Sequence, residues 1–184
     1  MGRWREAVRN WGVEAEERGL DFPCDEVLRD ANDVLYYGIT VNASPAVLFR
    51  WLCQMRVGGY SYDLISHFWH RSPRELTPGM ERLEVGQAVM TITDIVGFER
   101  DRHLTLRLRK PGIYYPPSAV SYLIVPLDGA RCRLIVKCSL KFRPGLRDIV
   151  CRTVGPSLTW IMMRRQLLNF KRLAEAMARK TGLE

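Results

Sequence analysis

Between Val85 and Phe142 the apolar residues recur at every second position, while on either side of that stretch they recur every three or four. A period of two marks strands with one face turned to a core, and a period near 3.6 marks helices. The alternation is cleanest over 130–142. Cys132, Leu134, Val136, Cys138, Leu140 and Phe142 fall on one face, and Arg131, Arg133, Lys137, Ser139 and Lys141 make up most of the other. A strand of this kind belongs to an antiparallel sheet buried on one side and wet on the other. Strands are expected over 87–95, 97–101, 103–109, 118–127 and 130–142. The last two flank Asp128-Gly129, a strong hairpin signal, and short turns of this type join antiparallel neighbours into a meander.

What flanks the meander reads differently. Residues 4–18 suggest an amphipathic helix with Trp4, Val8, Trp11 and Ala15 on one stripe, ended by Gly19, and 21–32 an irregular connection. A first strand follows, in which Leu35, Tyr37, Ile39 and Val41 alternate with Tyr36, Gly38 and Thr40. Ser44 then caps a helix with Pro45 at its first position. Val47, Leu48, Trp51, Leu52 and Met55 form its stripe, and Gly58-Gly59 stops it. A second short helix is expected over 62–69. Beyond Pro144-Gly145 a helical piece covers 146–154, and Gly155-Pro156 is expected to interrupt it. From Ser157 a long helix carries Trp160, Met163, Leu167, Phe170, Ala174 and Met177 on one stripe, with Arg164, Arg165, Lys171, Arg172, Glu175, Arg179 and Lys180 opposite.

The 184 residues suit one structural unit: an N-terminal helix and connection over 1–32, then an α+β domain over 33–184. A net charge of +8 permits attraction to anionic partners, but the basic residues are scattered and read as a solvated surface. No helix-turn-helix signature is present and the aromatic residues lie on apolar stripes, so no specific nucleic-acid partner is expected. Nor is there a G-x-G-x-x-G or phosphate-loop motif, and no cofactor is expected. Five cysteines, an odd number without a C-x-x-C pair, point to a reducing, cytoplasmic setting. The first residues lack the apolar core of a signal peptide, and no apolar run approaches the ~20 residues of a membrane span.

The segment from Ile39 to Met55, ITVNASPAVLFRWLCQM, followed by Gly58-Gly59-Tyr60-Ser61-Tyr62-Asp63, closely resembles the opening of bacterial SRPBCC-superfamily domains, the START-like, polyketide-cyclase-like and Bet v 1-like proteins. Leu83-Glu84-Val85-Gly86-Gln87 and Met163-Arg164-Arg165-Gln166-Leu167 are similar to two further segments of that superfamily, although Gln87 stands where many members carry an acid. The likeness runs from about Trp11 to Glu175. It implies a helix-grip fold, a curved antiparallel sheet wrapped around a long C-terminal helix with two short helices after the first strand, enclosing an apolar cavity. It does not fix an activity, because the superfamily hosts carriers, cyclases and hydroxylase domains on one scaffold.

On that frame the cavity walls are expected from Trp51, Met55, Met90, Leu106, Tyr122, Leu134, Val136, Cys138, Met163 and Leu167, with Phe170 and Cys132 beside them. Tyr60, Tyr62, Tyr114 and Tyr115 are expected near the mouth. Asp63, Tyr60 or Tyr62 is the candidate catalyst. A buried Asp63 would serve as a general base, whereas in the plainer reading it caps the second helix while the tyrosines pack its first turn. Asp63, His67 and His70 lie on adjacent helical rows, but three ligands on one short helix rarely converge, and no metal is expected. Cys53, Cys132 and Cys138 read as packing residues. The loop 110–117, with Tyr114-Tyr115 between prolines, is either a lid, an apolar tip that touches membrane, or a plain connection. The expected function is non-catalytic binding of a small hydrophobic molecule (lipid, polyketide or aromatic). A cyclase or aromatase-like enzyme is the alternative, and a peripheral membrane-surface protein the second alternative.

Overall fold

The computed structural model describes residues 2–61, 72–90, 92–111 and 116–182. In chain order these form α1 (Gly2–Arg9), β1 (Asn10–Trp11), α2 (Cys24–Val27), β2 (Asp33–Val41), α3 (Pro45–Cys53), β3 (Ala88–Val89), β4 (Thr93–Glu99), β5 (His103–Leu108), β6 (Ser118–Pro126), β7 (Cys132–Leu140) and α4 (Leu146–Thr181). The strands make one sheet in the order β1-β2-β7-β6-β5-β4-β3, antiparallel throughout except for the β1–β2 pair. This is the helix-grip, α+β architecture expected above.

Register follows from the alternation. Val136 of β7 stands opposite both Tyr37 of β2 and Tyr122 of β6, and Leu134 opposite Ile39 and Ile124, so one apolar face runs across the three strands. The helical stripe of α4 that meets it is fully buried at Leu167, Phe170 and Ala174, and nearly so at Ala178. The expected capping of α3 is present, with Ser44 Oγ accepting from Val47 N–H at 3.5 Å and Pro45 at the first turn.

Several local expectations are corrected. α1 stops at Arg9, because Asn10 and Trp11 turn outward to pair with β2 opposite Tyr36 and Tyr37. Gly12 then crosses the sheet edge with φ +70°, so close that a Cβ on it would lie 2.3 Å from the Gly38 carbonyl oxygen. Only glycine tolerates both the backbone angle and the approach. In the meander, the stretch expected as one strand over 87–95 is two residues of β3, then Met90 in the left-handed region at φ 51°. β4 instead spans the expected break at Val96 and absorbs it as a bulge between Ile95 and Gly97. Gly155-Pro156 does not interrupt the last helix, which is continuous for 36 residues. A proline removes one intrahelical hydrogen bond, and the rest of the ladder carries the helix past it.

The outer face of the sheet is not wet at its centre. Residues 12–32 form a strap across it, and Phe22 and Cys24 pack on Tyr36, Ala119 and Ile135 as a second apolar cluster. Under the strap, Ser121 Oγ accepts from the Cys24 N–H at 2.9 Å and shares a 2.9 Å hydrogen bond with Thr105 Oγ1. Lys137, expected in solvent, lies over the Phe22 and Tyr36 rings and reaches Asp25 at 2.6 Å. Arg133 grips Glu17 through two nitrogens at 2.7 Å and donates to the Gly12 carbonyl at 2.8 Å. The polar side of β7 is therefore a binding face for the strap, which alternation alone does not distinguish from a solvated one.

Two measurements test the strap. Ser121→Ala leaves a buried N–H and a buried hydroxyl without their partner, and denaturant unfolding should register a loss of about 1–3 kcal/mol. For Glu17, burial favours the neutral acid, but the Arg133 hydrogen bonds outweigh it and hold the pKa below its ordinary 4.5. A pKa lower in the folded chain than in the unfolded one adds stability above about pH 4.5, lost as pH falls through the folded value. The stability gap between wild type and Glu17→Gln should therefore be present at neutral pH and close in acid; a gap constant with pH would show that the Glu17 charge contributes nothing.

Candidate functional site

Most of the expected ligand-contacting residues share one cluster. Trp51, Met55, Tyr60, Leu106, Tyr122, Leu134, Val136, Cys138 and Leu167 are buried together between the inward sheet face, α3 and α4, and Met90 and Met163 pack against it half-buried. Tyr62, Asp63, Tyr114 and Tyr115 lie outside the described residues, as do His67 and His70. Among the described residues no group of three or more His, Cys, Asp or Glu side chains is arranged to hold a metal ion.

Tyr60 enters this cluster by way of a strained turn. Its φ is 54°, in the left-handed region, and its ring lies between Trp51 and Phe170 with centroids 6.2 and 5.2 Å away. The turn is bound on all sides. Ser72 Oγ accepts from the Tyr60 N–H, Asn169 donates to the Tyr60 carbonyl at 2.8 Å, and Ser61 Oγ donates to the Met162 carbonyl at 2.9 Å. A Cβ on Gly58 would lie 2.6 Å from Ser72 Oγ, which explains the glycine there. Tyr60 thus sits in the interior with 2% of its surface exposed, where the expectation had it at a cavity mouth.

A polar clamp crosses this apolar interior. Buried Gln166 of α4 accepts from the Tyr122 hydroxyl at 2.8 Å and donates to the Gly59 carbonyl at 2.6 Å, tying sheet, helix and turn together. Burial pushes the Tyr122 pKa well above its ordinary value, since ionising it would place a charge in an apolar interior. The thiols of Cys53 and Cys132 are likewise pushed up to about 12 by burial, and that of Cys138 higher still, so they are un-ionised at neutral pH. Two buried donors in the same cluster, the Tyr37 hydroxyl and the Trp51 indole N–H, have no hydrogen-bond partner among the described residues.

Beside this interior, where β2 and β6 begin and β7 ends, the first half of α4 stands off the sheet and leaves an apolar cleft of about 350 Å³. Leu35, Leu140, Phe142 and Pro116 form the sheet wall, and Val150, Val154, Leu158 and Met162 the helix wall, with half-buried Cys151 beside them. Asp33 closes one end. Its carboxylate, 4% exposed, is paired with Arg9 of α1 and with Arg152 of α4 at 3.3 Å. On the far side of Asp33 lies a more polar pocket of about 520 Å³ between α1 and α4, bordered by Trp4, Arg5 and Arg9.

None of the cleft's wall residues was among the expected contacts. The stripe through Met163, Leu167 and Phe170 points to the half of α4 that lies in the core, and the cleft is formed by the other half. The signal available in the sequence was the stretch from Ile149 to Met163, in which Arg152 is the one charged residue. A helix segment with so little charge on any side has more apolar surface than one core face can cover.

A hypothetical protein of Helicobacter pylori superposes on the chain with a TM-score of 0.53 at 11% identity, covering 85% of this chain and 96% of the other. A START superfamily protein of Mycobacterium smegmatis aligns at 13% identity over 73% of this chain and 98% of its own, with a TM-score of 0.40. A Thalictrum norcoclaurine synthase aligns at 13% identity over 77% and 93%, with a TM-score of 0.47. No protein-family model matches the sequence, and no curated protein sequence matches it either. At such identities the likeness is one of fold alone, and the chain's own topology is the helix-grip arrangement of a curved antiparallel sheet and a long C-terminal helix.

The clamp makes a double-mutant test. Gln166→Leu leaves the Tyr122 hydroxyl and the Gly59 carbonyl buried and unpaired, and should destabilise by about 2–4 kcal/mol. Adding Tyr122→Phe should recover part of that loss in denaturant unfolding; strict additivity would show that the two groups are not coupled.

Proposed function

We propose that this chain binds a small hydrophobic molecule, a lipid, polyketide or aromatic, in the cleft between α4 and the β2–β7–β6 end of the sheet, and does no chemistry on it. The observation that carries this reading is the composition of the cleft wall, which is apolar on both the sheet and the helix side. Its volume lies in the range of small-molecule sites, about 300–1,000 Å³, and such sites are mostly apolar with a few placed polar groups. The polar group at hand is the Tyr37 hydroxyl, one inward position beyond Leu35 on β2 and without a partner among the described residues. A ligand with one hydrogen-bonding end that reaches past Leu35 would satisfy it.

The groups near the cleft are poorly suited to acid-base work. The Asp33 carboxylate is already engaged by two guanidinium groups, and the buried hydroxyl of Tyr37 is held un-ionised by desolvation. A general base needs a proton affinity near the operating pH and an open path to the substrate. Neither group offers both.

Cys151, on the cleft wall and half-buried, reports on occupancy. N-phenyl-1-naphthylamine, a neutral apolar fluorophore, should bind with enhanced emission and slow the alkylation of Cys151 severalfold. Val154→Trp, which fills the cleft from the helix side, should weaken probe binding by about tenfold or more without changing the melting temperature by more than a few degrees. Unchanged binding in Val154→Trp, together with unchanged Cys151 reactivity, would place any ligand elsewhere.

A further inference from the structure

The solvent side of α4 changes character along its length. Leu146, Val150, Val154, Leu158 and Ile161 are spaced four, four, four and three apart, which puts them on one stripe about 22 Å long. All five are exposed, by 41% to 79%. Beyond Ile161 the same side of the helix carries Arg164, Arg165 and Arg172. Ile149, 62% exposed, flanks the stripe toward α1. There Trp4, 57% exposed, meets Trp160 edge to face at 5.5 Å. A contiguous apolar surface of this extent on a folded chain marks an interaction site.

The rim of that surface is basic. Arg5 borders the same pocket as Ile149, Arg143 precedes the helix and is exposed, and Arg164 and Arg165 border Ile161. Among the described residues the nearby acids are Asp148, which is buried, Asp33, which is paired with Arg9 and Arg152, and Glu6, which is within reach of Arg18. The whole chain carries +8. A second copy docking symmetrically would set this basic rim against the basic rim of its partner, and like charges juxtaposed across an interface are unfavourable. A surface that is apolar beneath and anionic above complements both features at once.

We infer that α1 and the first half of α4 form a docking surface for an anionic lipid membrane, with Leu146, Val150, Val154, Leu158, Ile161 and Trp4 entering the acyl boundary and the rim arginines lying against the headgroups. The geometry is that of an interfacial helix pair with tryptophan at headgroup depth. No helix among the described residues is long and apolar enough to cross a membrane, which agrees with α4 lying on the surface. Val150, Val154 and Leu158 are also the helix wall of the apolar cleft, so docking would present the cleft to the bilayer. The inference does not depend on a ligand entering the cleft.

Sedimentation of the full chain with vesicles tests it. At low salt the protein should bind vesicles of phosphatidylcholine with phosphatidylglycerol about tenfold or more tightly than vesicles of phosphatidylcholine alone, and lose that advantage in high salt. The variant L146S/I149S/I161S changes exposed residues that do not line the cleft, and should reduce binding to the mixed vesicles by about tenfold or more. R5E/R143E should do the same through the rim. Melting curves and naphthylamine binding of both variants should match wild type, which separates loss of docking from loss of the fold or of the cleft site. No binding to mixed vesicles, or binding indifferent to both variants, would overturn the inference. So would a wild-type dimer in light scattering that L146S/I149S/I161S dissolves in the absence of vesicle binding, which would assign the face to self-association.

Discussion

An antiparallel sheet with one apolar face must be covered by something, and in this chain the cover is longer than the sheet. The longest strands have nine residues, about 30 Å, and seven strands side by side span a similar distance. A helix of 36 residues is about 54 Å long. No orientation of α4 allows the sheet to bury all of it. The fold is secured by the half from Gln166 to Ala178, where Gln166, Leu167, Phe170, Ala174 and Ala178 are at most 3% exposed. The half from Leu146 to Met162 contributes less to the core and keeps its apolar side chains at the surface. That surplus forms both the helix wall of the cleft and the exposed stripe, so both surfaces derive from a mismatch of lengths.

The strap over the outer face answers a different constraint. A curved sheet with one polar face is stable against solvent, yet here three buried hydroxyls, Thr105, Ser121 and Ser139, stand at its centre. Hydroxyls in that position need partners. The strap supplies them to Ser121 and Ser139 through the Cys24 N–H and Asp25, and Thr105 pairs with Ser121, while Phe22 adds the apolar contact and Arg133 fixes where the strap begins. With both faces covered, the sheet is held between two layers, and the open boundary is left at the β2–β7–β6 end, beside the cleft.

How much of this was readable in the residues depends on range. The inward face of β7, the capped α3 and the buried stripe of α4 follow from periodicity, because they concern which side of an element is apolar. The strap did not, because Arg133, Lys137 and Ser139 look alike whether they face water or Asp25 and Glu17, more than a hundred residues away in the chain. The bulge at Ile95/Gly97 and the turn at Gly12 also depend on a neighbouring strand. Gly155-Pro156 is a local breaking signal, and the helix nevertheless runs through it. Those expected ligand contacts that lie among the described residues face the interior. Periodicity does not say where an inward surface parts from its cover, and the cleft lies at that parting.

The difference between the interior and the cleft follows from how each treats polar atoms. In the interior, Gln166 satisfies Tyr122 and the Gly59 carbonyl, and the Tyr60 turn is tied by Ser72 and Asn169, so any rearrangement to admit a guest would break several buried hydrogen bonds. Breaking even one of these without replacement costs about 1–3 kcal/mol. The cleft walls carry few such ties. Their side chains meet solvent or each other, and a guest that displaces water from Leu35, Val154 and Leu158 gains roughly 25 cal/mol per Å² of apolar surface covered, with little to undo. On the proposed reading, a molecule that uses both regions lies in the cleft and extends a single polar end inward to the Tyr37 hydroxyl, which has no hydrogen-bond partner among the described residues.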